Sequence, residues 1–146
     1  MAQLSNGNYL VSPLVAEESF VSRFYIEDKS LLPKRVVLIN DPNLAQKWHI
    51  ENAGANRFRL SISGAVIAPR DDHVFAHLIN ENEDTQWELE PSPQHGPNVF
   101  VVKTSDGKGW VLPDTEERTQ LSYKPLAPAS GSPPNELFKF TQCGDD

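Results

Sequence analysis

The chain of 146 residues contains a single cysteine, Cys143, and no Asn-x-Ser/Thr glycosylation sequon. One cysteine cannot form an intramolecular disulfide, whereas small secreted domains are often dense in disulfides. Residues 1–10 show neither the basic region nor the apolar region of a signal peptide. These absences favour a protein of the reducing cytoplasm that folds without disulfides.

The sequence also lacks any apolar run long enough to cross a membrane and any cluster of basic residues. Its formal net charge is −7, which disfavours binding to nucleic acid because phosphates need a basic surface. The length suits one domain over residues 1–146. We expect a monomer with no membrane and no nucleic-acid partner.

Motifs of catalysis and of metal binding are missing as well. There is no His-Glu-x-x-His, Cys-x-x-Cys, Walker loop or Gly-x-Ser-x-Gly elbow. His73 and His77 would face the same side of a strand, but a metal site needs a third ligand. The acidic residues at 81, 83 and 84 are expected in a solvated loop. The sequence therefore predicts a binding protein with no enzymatic activity, metal or cofactor.

Short alternating segments dominate what is present, punctuated by 12 prolines and 8 glycines. Trp48-His49-Ile50-Glu51 and Trp87-Glu88-Leu89-Glu90 repeat a pattern of Trp-x-aliphatic-Glu, and Phe138-Lys139-Phe140 occupies a similar slot. Three further strands precede each slot. They are predicted near Gly7–Ser12, Phe20–Tyr25 and Arg35–Asn40, near Asn56–Ser63, Ala65–Pro69 and His73–Asn80, and near Pro97–Lys103, Gly109–Leu112 and Gln120–Leu126.

Three units of four strands predict an all-β fold of the β-trefoil type: twelve strands, with a six-stranded barrel capped by three hairpins. A propeller also has four-stranded units, but three blades are fewer than propellers use. The prediction places Trp48, Trp87 and Phe138 at equivalent buried positions. Ile50, Leu89 and Phe140 should be buried with them.

The segment Ile26–Lys34 is predicted to be the loop between the second and third strands. It contains two leucines and a lysine where a solvated connection is expected. On residue types alone, Leu31 and Leu32 could tuck under the barrel while Pro33 stiffens the chain.

The run Glu27-Asp28-Lys29-Ser30-Leu31-Leu32-Pro33-Lys34 resembles the mushroom β-trefoil serine protease inhibitors of the cospin and cnispin type, which carry a similar E-D-R/K-S-L-L-P-K segment in this loop. The likeness extends over nearly the whole chain. Further matches are Gly7-Asn8-Tyr9, Trp48-His49-Ile50-Glu51, Phe58-Arg59-Leu60, Gly109-Trp110-Val111-Leu112-Pro113 and Pro125-Leu126. One departure is Ser22, where a glycine is expected before Arg23.

The resemblance implies reversible inhibition of trypsin-like proteases by a substrate-like loop, and a defensive role in a fungus. Lys29 would enter the specificity pocket and Ser30 would follow the scissile bond, with Asp28, Leu31 and Leu32 completing the contact. Asp28 is unexpected there, since it places an anion beside the pocket lysine. Alternative reactive residues are Arg23, Arg70 and Lys124. Lys34 and Arg35 are expected to flank the loop with solvated head groups.

Three other functions stay open on the sequence. Gln46-Lys47-Trp48 matches the Gln-x-Trp tripeptide of ricin-B-type lectins, although the second and third units break it. A cysteine protease inhibitor of the mycocypin kind would share the trefoil and bind through other loops. A purely structural or interaction trefoil would need none of these loops.

Overall fold

The fold is given by a computed structural model that describes residues 6–16, 18–23, 34–41, 43–54, 57–62, 64–77, 85–96, 98–126 and 133–143. Twelve strands run through these ranges: β1 (Gly7–Pro13), β2 (Phe20–Arg23), β3 (Lys34–Ile39), β4 (Trp48–Gly54), β5 (Arg57–Ile62), β6 (Ala65–Arg70), β7 (His73–His77), β8 (Trp87–Pro91), β9 (Val99–Lys103), β10 (Lys108–Val111), β11 (Ser122–Pro125) and β12 (Phe138–Gln142). Helix in the described ranges consists of 3-10 turns at Leu14–Ala16, Pro93–His95 and Pro134–Glu136.

Six of the strands close into a barrel. The ring runs β1–β4–β5–β8–β9–β12 and returns from β12 to β1, with every pair antiparallel. Because each of these strands has a neighbour on both sides, the ring leaves no open edge to pair with another chain. The barrel holds the first and fourth strands of all three units.

The remaining six strands form three hairpins, β2–β3, β6–β7 and β10–β11, at one end of the barrel. Each hairpin pairs with the first strand of its own unit. The hairpins also meet one another, through β3 with β7, through β7 with β11, and through a bridge from Val37 to Gln120. The predicted β-trefoil is confirmed.

Strand alternation builds the core. In β5, Phe58, Leu60 and Ile62 are buried, while Arg57 and Arg59 point to solvent. The barrel interior holds Trp48, Trp87 and Trp110, each fully buried, and the Trp48 and Trp110 ring centroids are 5.1 Å apart. Burial of a large side chain of this kind contributes about 2–3 kcal/mol.

Trp48 and Trp87 occupy equivalent places, as predicted. The indole Nε1 of Trp48 donates to the carbonyl of Val21 at 2.7 Å, and that of Trp87 donates to the carbonyl of Ile67 at 2.9 Å. The side chain of Phe138 has no N–H to donate. Its ring packs edge-on against that of Trp110, with ring centroids 5.4 Å apart. These three residues are fully buried, and so are their partners Ile50, Leu89 and Phe140.

Strand β3 begins one residue earlier than the sequence predicts. It starts at Lys34, which pairs with Ala76 of β7. Alternation places Lys34 on the same face as buried Val36, so Lys34 is only 7% exposed, while Arg35 on the opposite face is exposed. The solvated head group predicted for Lys34 is therefore wrong. The predicted strand ends at Tyr25 and Asn80 lie outside the described residues.

Within the described ranges, no helix has the length and hydropathy that a membrane crossing requires. The same ranges hold no group of three or more His, Cys, Asp or Glu side chains placed to bind a metal ion. The acidic residues at 81, 83 and 84 lie outside them.

Candidate functional site

The segment predicted to bind a protease lies between β2 and β3 in the sequence, and the structure describes the residues on either side of 24–33. Lys29, Ser30, Asp28, Leu31 and Leu32 fall in residues 24–33, outside the described part of the chain. The described ends are Arg23, the last residue of β2, and Lys34, the first residue of β3.

Strand β2 is bonded to neighbouring parts of the chain at each of its residues, from Phe20 to Arg23. It pairs with β3 from Phe20 opposite Ile39 to Arg23 opposite Val36. The carbonyl of Val21 accepts the Trp48 indole bond, and the hydroxyl oxygen of Ser22 accepts the backbone N–H of Gln46 at 2.9 Å. Ser22, which stands where a glycine was expected, is fully buried and joins β2 to the chain before β4.

Arg23 does not present its side chain to solvent. It is 6% exposed, and its Nη1 donates to the carbonyl of Ile62 at 3.4 Å. Ile62 ends β5, in the second unit. A side chain must project from the surface to enter a protease pocket, and the guanidinium of Arg23 faces inward in this structure.

The opposite end of the loop is attached to the second unit as well. Lys34 and Arg35 pair with Ala76 and Phe75 of β7. Buried lysines are rare because moving an ammonium group out of water is costly. The two residues that flank the loop are thus both buried cations attached to the second unit.

Arg70 lies at the end of β6, where the hairpin turns sharply. Its side chain is 55% exposed, and its Nε lies 3.8 Å from a carboxylate oxygen of Asp71. Asp71 and Asp72 both have positive φ, 52° and 63°, which makes a tight two-residue turn. A protease reads an extended peptide, and the backbone directly after Arg70 is left-handed instead.

Lys124 lies within β11, opposite Gly109 of β10, and its side chain is exposed. Pro125 follows it directly and supplies no backbone N–H. A bond on the amino side of proline lacks the N–H that a substrate-like segment offers at that position. Paired backbone and this proline both disfavour Lys124 as a reactive residue.

The Gln-x-Trp tripeptide has a structural role in this chain. The Trp48 ring is fully buried in the barrel, and the backbone N–H of Gln46 is bonded to Ser22. Neither group is available to a sugar at the surface. This tripeptide therefore gives the lectin interpretation no support.

Two groups with shifted pKa values lie in the third unit: Asp106 in the turn between β9 and β10, and Tyr123 in β11. The Thr104 hydroxyl donates to the Asp106 carboxylate and, with the Lys108 backbone N–H, lowers the pKa of that carboxyl. Burial is the main cause that raises the pKa of Tyr123, whose hydroxyl lies 2.5 Å from that of Thr104. This polar cluster fixes the third unit's turn.

The burial of the two cations Arg23 and Lys34 was not predicted from the sequence. In the sequence, Arg23 and Lys34 resemble ordinary surface charges. Period-two alternation from Val36 back to Lys34 was the available signal for Lys34. No signal could have found Ile62 as the partner of Arg23, since 39 positions separate them.

Taken together, these observations define a β-trefoil whose first hairpin has a buried cation on each side of residues 24–33. Comparison with known proteins agrees with that class. The family described as Peptidase inhibitor I66 matches residues 1–142, and the chain belongs to that family.

Two relatives are similar over nearly their whole length. A protein of Lentinula edodes named "Serine protease inhibitor" is 40% identical over 142 residues, which cover 94% of this chain and 96% of the relative. The solved structure of a proteinase inhibitor from Coprinopsis cinerea is 36% identical, with a TM-score of 0.86 over 97% of this chain and all of the other. The family consists of inhibitors, not enzymes.

More distant structures support the fold alone. The designed threefold-symmetric protein ThreeFoil is 13% identical, with a TM-score of 0.74 over 94% of this chain and 99% of its own. A ricin B-like lectin of Macrolepiota procera, solved with lactose, is also 13% identical, with a TM-score of 0.66 over 97% of this chain and all of its own. Their similarity confirms the trefoil and carries no function.

Proposed function

We propose that the protein inhibits trypsin-like serine proteases through the segment Ile26–Lys34, with Lys29 in the specificity pocket. Membership of the inhibitor family and the name of the Lentinula edodes relative support the class of target. The observation that carries the proposal is the support of the loop: β2 and β3 hold Arg23 and Lys34 in the barrel cap, directly before and after it.

Fixed loop ends favour inhibition for a thermodynamic reason. A loop that is already ordered loses little conformational entropy when a protease binds it. Such a loop can add to the protease cleft as an extended strand, with backbone hydrogen bonds giving affinity. A lysine then forms an ion pair with the carboxylate at the bottom of a trypsin-like pocket.

The other residues of the segment have assigned roles in this proposal. Ser30 follows the scissile bond, and its small side chain leaves room for the catalytic serine of the protease. Leu31 and Leu32 contact the protease surface or brace the loop, and Pro33 restricts the backbone through its ring. Asp28 precedes the pocket residue and weakens the interaction by placing an anion next to Lys29.

The direct test is the variant Lys29→Glu against trypsin. Loss of a buried, charge-paired side chain costs about 2–5 kcal/mol, so inhibition should weaken by roughly thirtyfold or more. Arg70→Glu and Lys124→Glu make the same charge change at exposed positions elsewhere and should inhibit as the parent does. Equal inhibition by Lys29→Glu and the parent would refute the assignment, and loss of inhibition in either control variant would move the site there.

A panel of proteases tests the class of target. Trypsin, chymotrypsin, papain and an asparagine-specific endopeptidase should be assayed side by side with the purified protein. Inhibition of trypsin alone is expected from a lysine in the pocket position. Inhibition of papain without inhibition of trypsin would favour a cysteine protease inhibitor.

The protein is proposed to act as a monomer that binds one protease molecule. The barrel ring leaves no free strand edge, and Cys143 is the single cysteine of the chain. Light scattering on the free protein and on its complex with trypsin should give one copy of each. A dimer, or a melting temperature that falls on adding dithiothreitol, would contradict this part of the proposal.

A further inference from the structure

We propose that Arg23 is a positioning residue whose buried guanidinium ties the β2–β3 loop to the second unit and so protects the loop from hydrolysis by the bound protease. The inference rests on the proposed function and concerns a residue that the sequence suggested as an alternative pocket residue. Here Arg23 acts through its contact with Ile62 and does not enter the protease pocket.

The contact of Arg23 crosses between units. Its Nη1 donates to the carbonyl of Ile62, 39 residues further along the chain, at the end of β5. That end of β5 is itself well held, since Ile62 pairs with Trp48 of β4 and with Ala65 of β6. The guanidinium therefore reaches a rigid part of the barrel.

The loop's second end is fastened to the same unit by backbone. Lys34 pairs with Ala76 of β7, and Ala76 pairs with Ile67 of β6. Strands β5, β6 and β7 therefore hold both ends of a loop that belongs to the first unit. If the chain were cut between Lys29 and Ser30, one new end would still be joined covalently to β2 and the other to β3, and both strands share this support.

That arrangement matters for the chemistry of inhibition. The protease serine oxygen attacks the Lys29 carbonyl carbon, the bond from that carbon to the Ser30 nitrogen breaks, and a proton passes to the nitrogen to give a free amine. If the amine stays in place, it attacks the acyl carbon, re-forms the peptide bond and returns the proton to the serine oxygen. Water competes for the same carbon, so the position of both ends decides whether inhibition lasts.

Packing alone would not require a buried arginine at position 23. A buried charge costs desolvation energy, and well-packed apolar residues of similar volume often stabilise a fold as well or better. The planar guanidinium, in contrast, carries N–H donors in fixed directions, and in this structure one of them, Nη1, reaches the carbonyl of Ile62. The cost in stability and the gain in geometry both point to positioning as the role of Arg23.

The experiment compares Arg23→Met, Arg23→Lys and the parent. Methionine keeps the length and apolar body of the side chain but has no donor, and lysine keeps one donor and the charge. Arg59→Met, at an exposed position on β5, is the matched control. Each protein is incubated with trypsin at catalytic and at equimolar amounts, and cleavage at Lys29 is followed by mass spectrometry beside inhibition and melting temperature.

Arg23→Met should be cut after Lys29 roughly tenfold faster than the parent and should inhibit only temporarily. Arg23→Lys should fall between them, and Arg59→Met should match the parent. A purely structural role predicts a different result: a lower melting temperature for Arg23→Met with unchanged cleavage and lasting inhibition. That result would overturn the inference.

The outcomes separate this inference from the proposed function. If the parent inhibits trypsin and Lys29→Glu does not, but Arg23→Met behaves as the parent, the function stands and the positioning role fails. If the parent does not inhibit trypsin, yet Arg23→Met is still cut within residues 24–33 faster than the parent, the positioning role stands and the proposed function fails. If Arg23→Met does not fold, the same comparison is made on Arg23→Lys, for which unchanged cleavage would refute the inference.

Discussion

The first and second hairpins of the cap occupy equivalent places in the trefoil but end differently. In β6–β7, Arg70 pairs with His73 and only Asp71 and Asp72 lie between them. In β2–β3, residues 24–33 separate the two strands. The cap needs the paired strands in both cases, whereas the length of the connection is free to vary and to carry function.

The basic residues at the ends of the two hairpins differ in burial. Arg70 is exposed and its ion pair with Asp71 joins two solvated side chains, which contributes little to stability. Arg23 and Lys34 are buried and tied to the second unit. The turn at Asp71 and Asp72 is fixed by its own backbone. Residues 24–33 form a longer connection, which depends on the strands at its two ends.

The third hairpin offers the most severe way to break the cap. A Cβ on Gly109 would lie 2.1 Å from the carbonyl oxygen of Val102 and 2.9 Å from the Cα of Lys103. Gly109→Ala therefore forces β9 and β10 apart and should lower the free energy of unfolding by about 3 kcal/mol. Urea denaturation measures it.

Gly107→Ala is the control for that change. Gly107 has a φ of 87° and open space around its Cβ position, so alanine there meets strain without a clash. A loss of about 1 kcal/mol is expected. Equal losses at the two positions would show that backbone proximity at Gly109 is not the cause.

The hydrogen bonds that Trp48 and Trp87 donate to the first and second hairpins can be removed one at a time. Trp48→Phe removes the hydrogen bond to Val21 of β2, in the first hairpin. Trp87→Phe removes the hydrogen bond to Ile67 of β6, in the second hairpin. Each variant removes a buried hydrogen bond and part of a buried ring, and should lose about 2 kcal/mol of stability.

Only Trp48→Phe should also weaken inhibition of trypsin, because it loosens the strand that carries the loop. Inhibition constants are compared at a temperature where both variants are fully folded. A matched loss of inhibition in Trp87→Phe would mean that general stability, and not local support, governs the loop.

How much of this the sequence could predict depends on the range of the interaction. The trefoil could be predicted from local alternation and from a short pattern repeated at Trp48, Trp87 and Phe138. Both signals can be read along the chain without knowledge of contacts between distant residues. The inward position of Lys34 depends on one residue of strand register, which shifts a side chain from one face to the other. The bond from Arg23 to Ile62 depends on the packing of two units and has no local signal.

The tight turn itself can be improved. Asp71 and Asp72 both adopt the left-handed conformation that Asn-Gly suits best in a two-residue hairpin. The double variant Asp71→Asn with Asp72→Gly should gain about 1 kcal/mol, since a side chain with positive φ is strained. Thermal unfolding should show a rise of about 3 °C. Inhibition should stay unchanged, and a fall in inhibition would place this hairpin in the protease contact.

The smallest effect expected is a pH dependence in the turn between β9 and β10. The Thr104 hydroxyl bond is the largest cause that lowers the pKa of Asp106 below 3.8, and the Lys108 backbone N–H is the next. A lowered pKa in the folded state means that Asp106 stabilises the fold above pH 3.8 and that this contribution disappears as the pH falls through the folded value. The carboxylate is exposed, so the contribution is small and is screened by salt.

Two variants separate the causes of that shift. Thr104→Val removes the strongest hydrogen bond and should return the pKa of Asp106 towards 3.8, as followed by NMR titration of its carboxyl carbon. Tyr123→Phe removes a weaker one, whose oxygen lies 3.1 Å from the Asp106 carboxylate, and should change the pKa little. Burial is the first cause of the raised pKa of Tyr123, and the hydrogen bond and charge of Asp106 raise it further, so Asp106→Asn should lower the pKa of Tyr123. A larger response to Tyr123→Phe than to Thr104→Val would reverse the assignment and make the phenol the group that orders this turn.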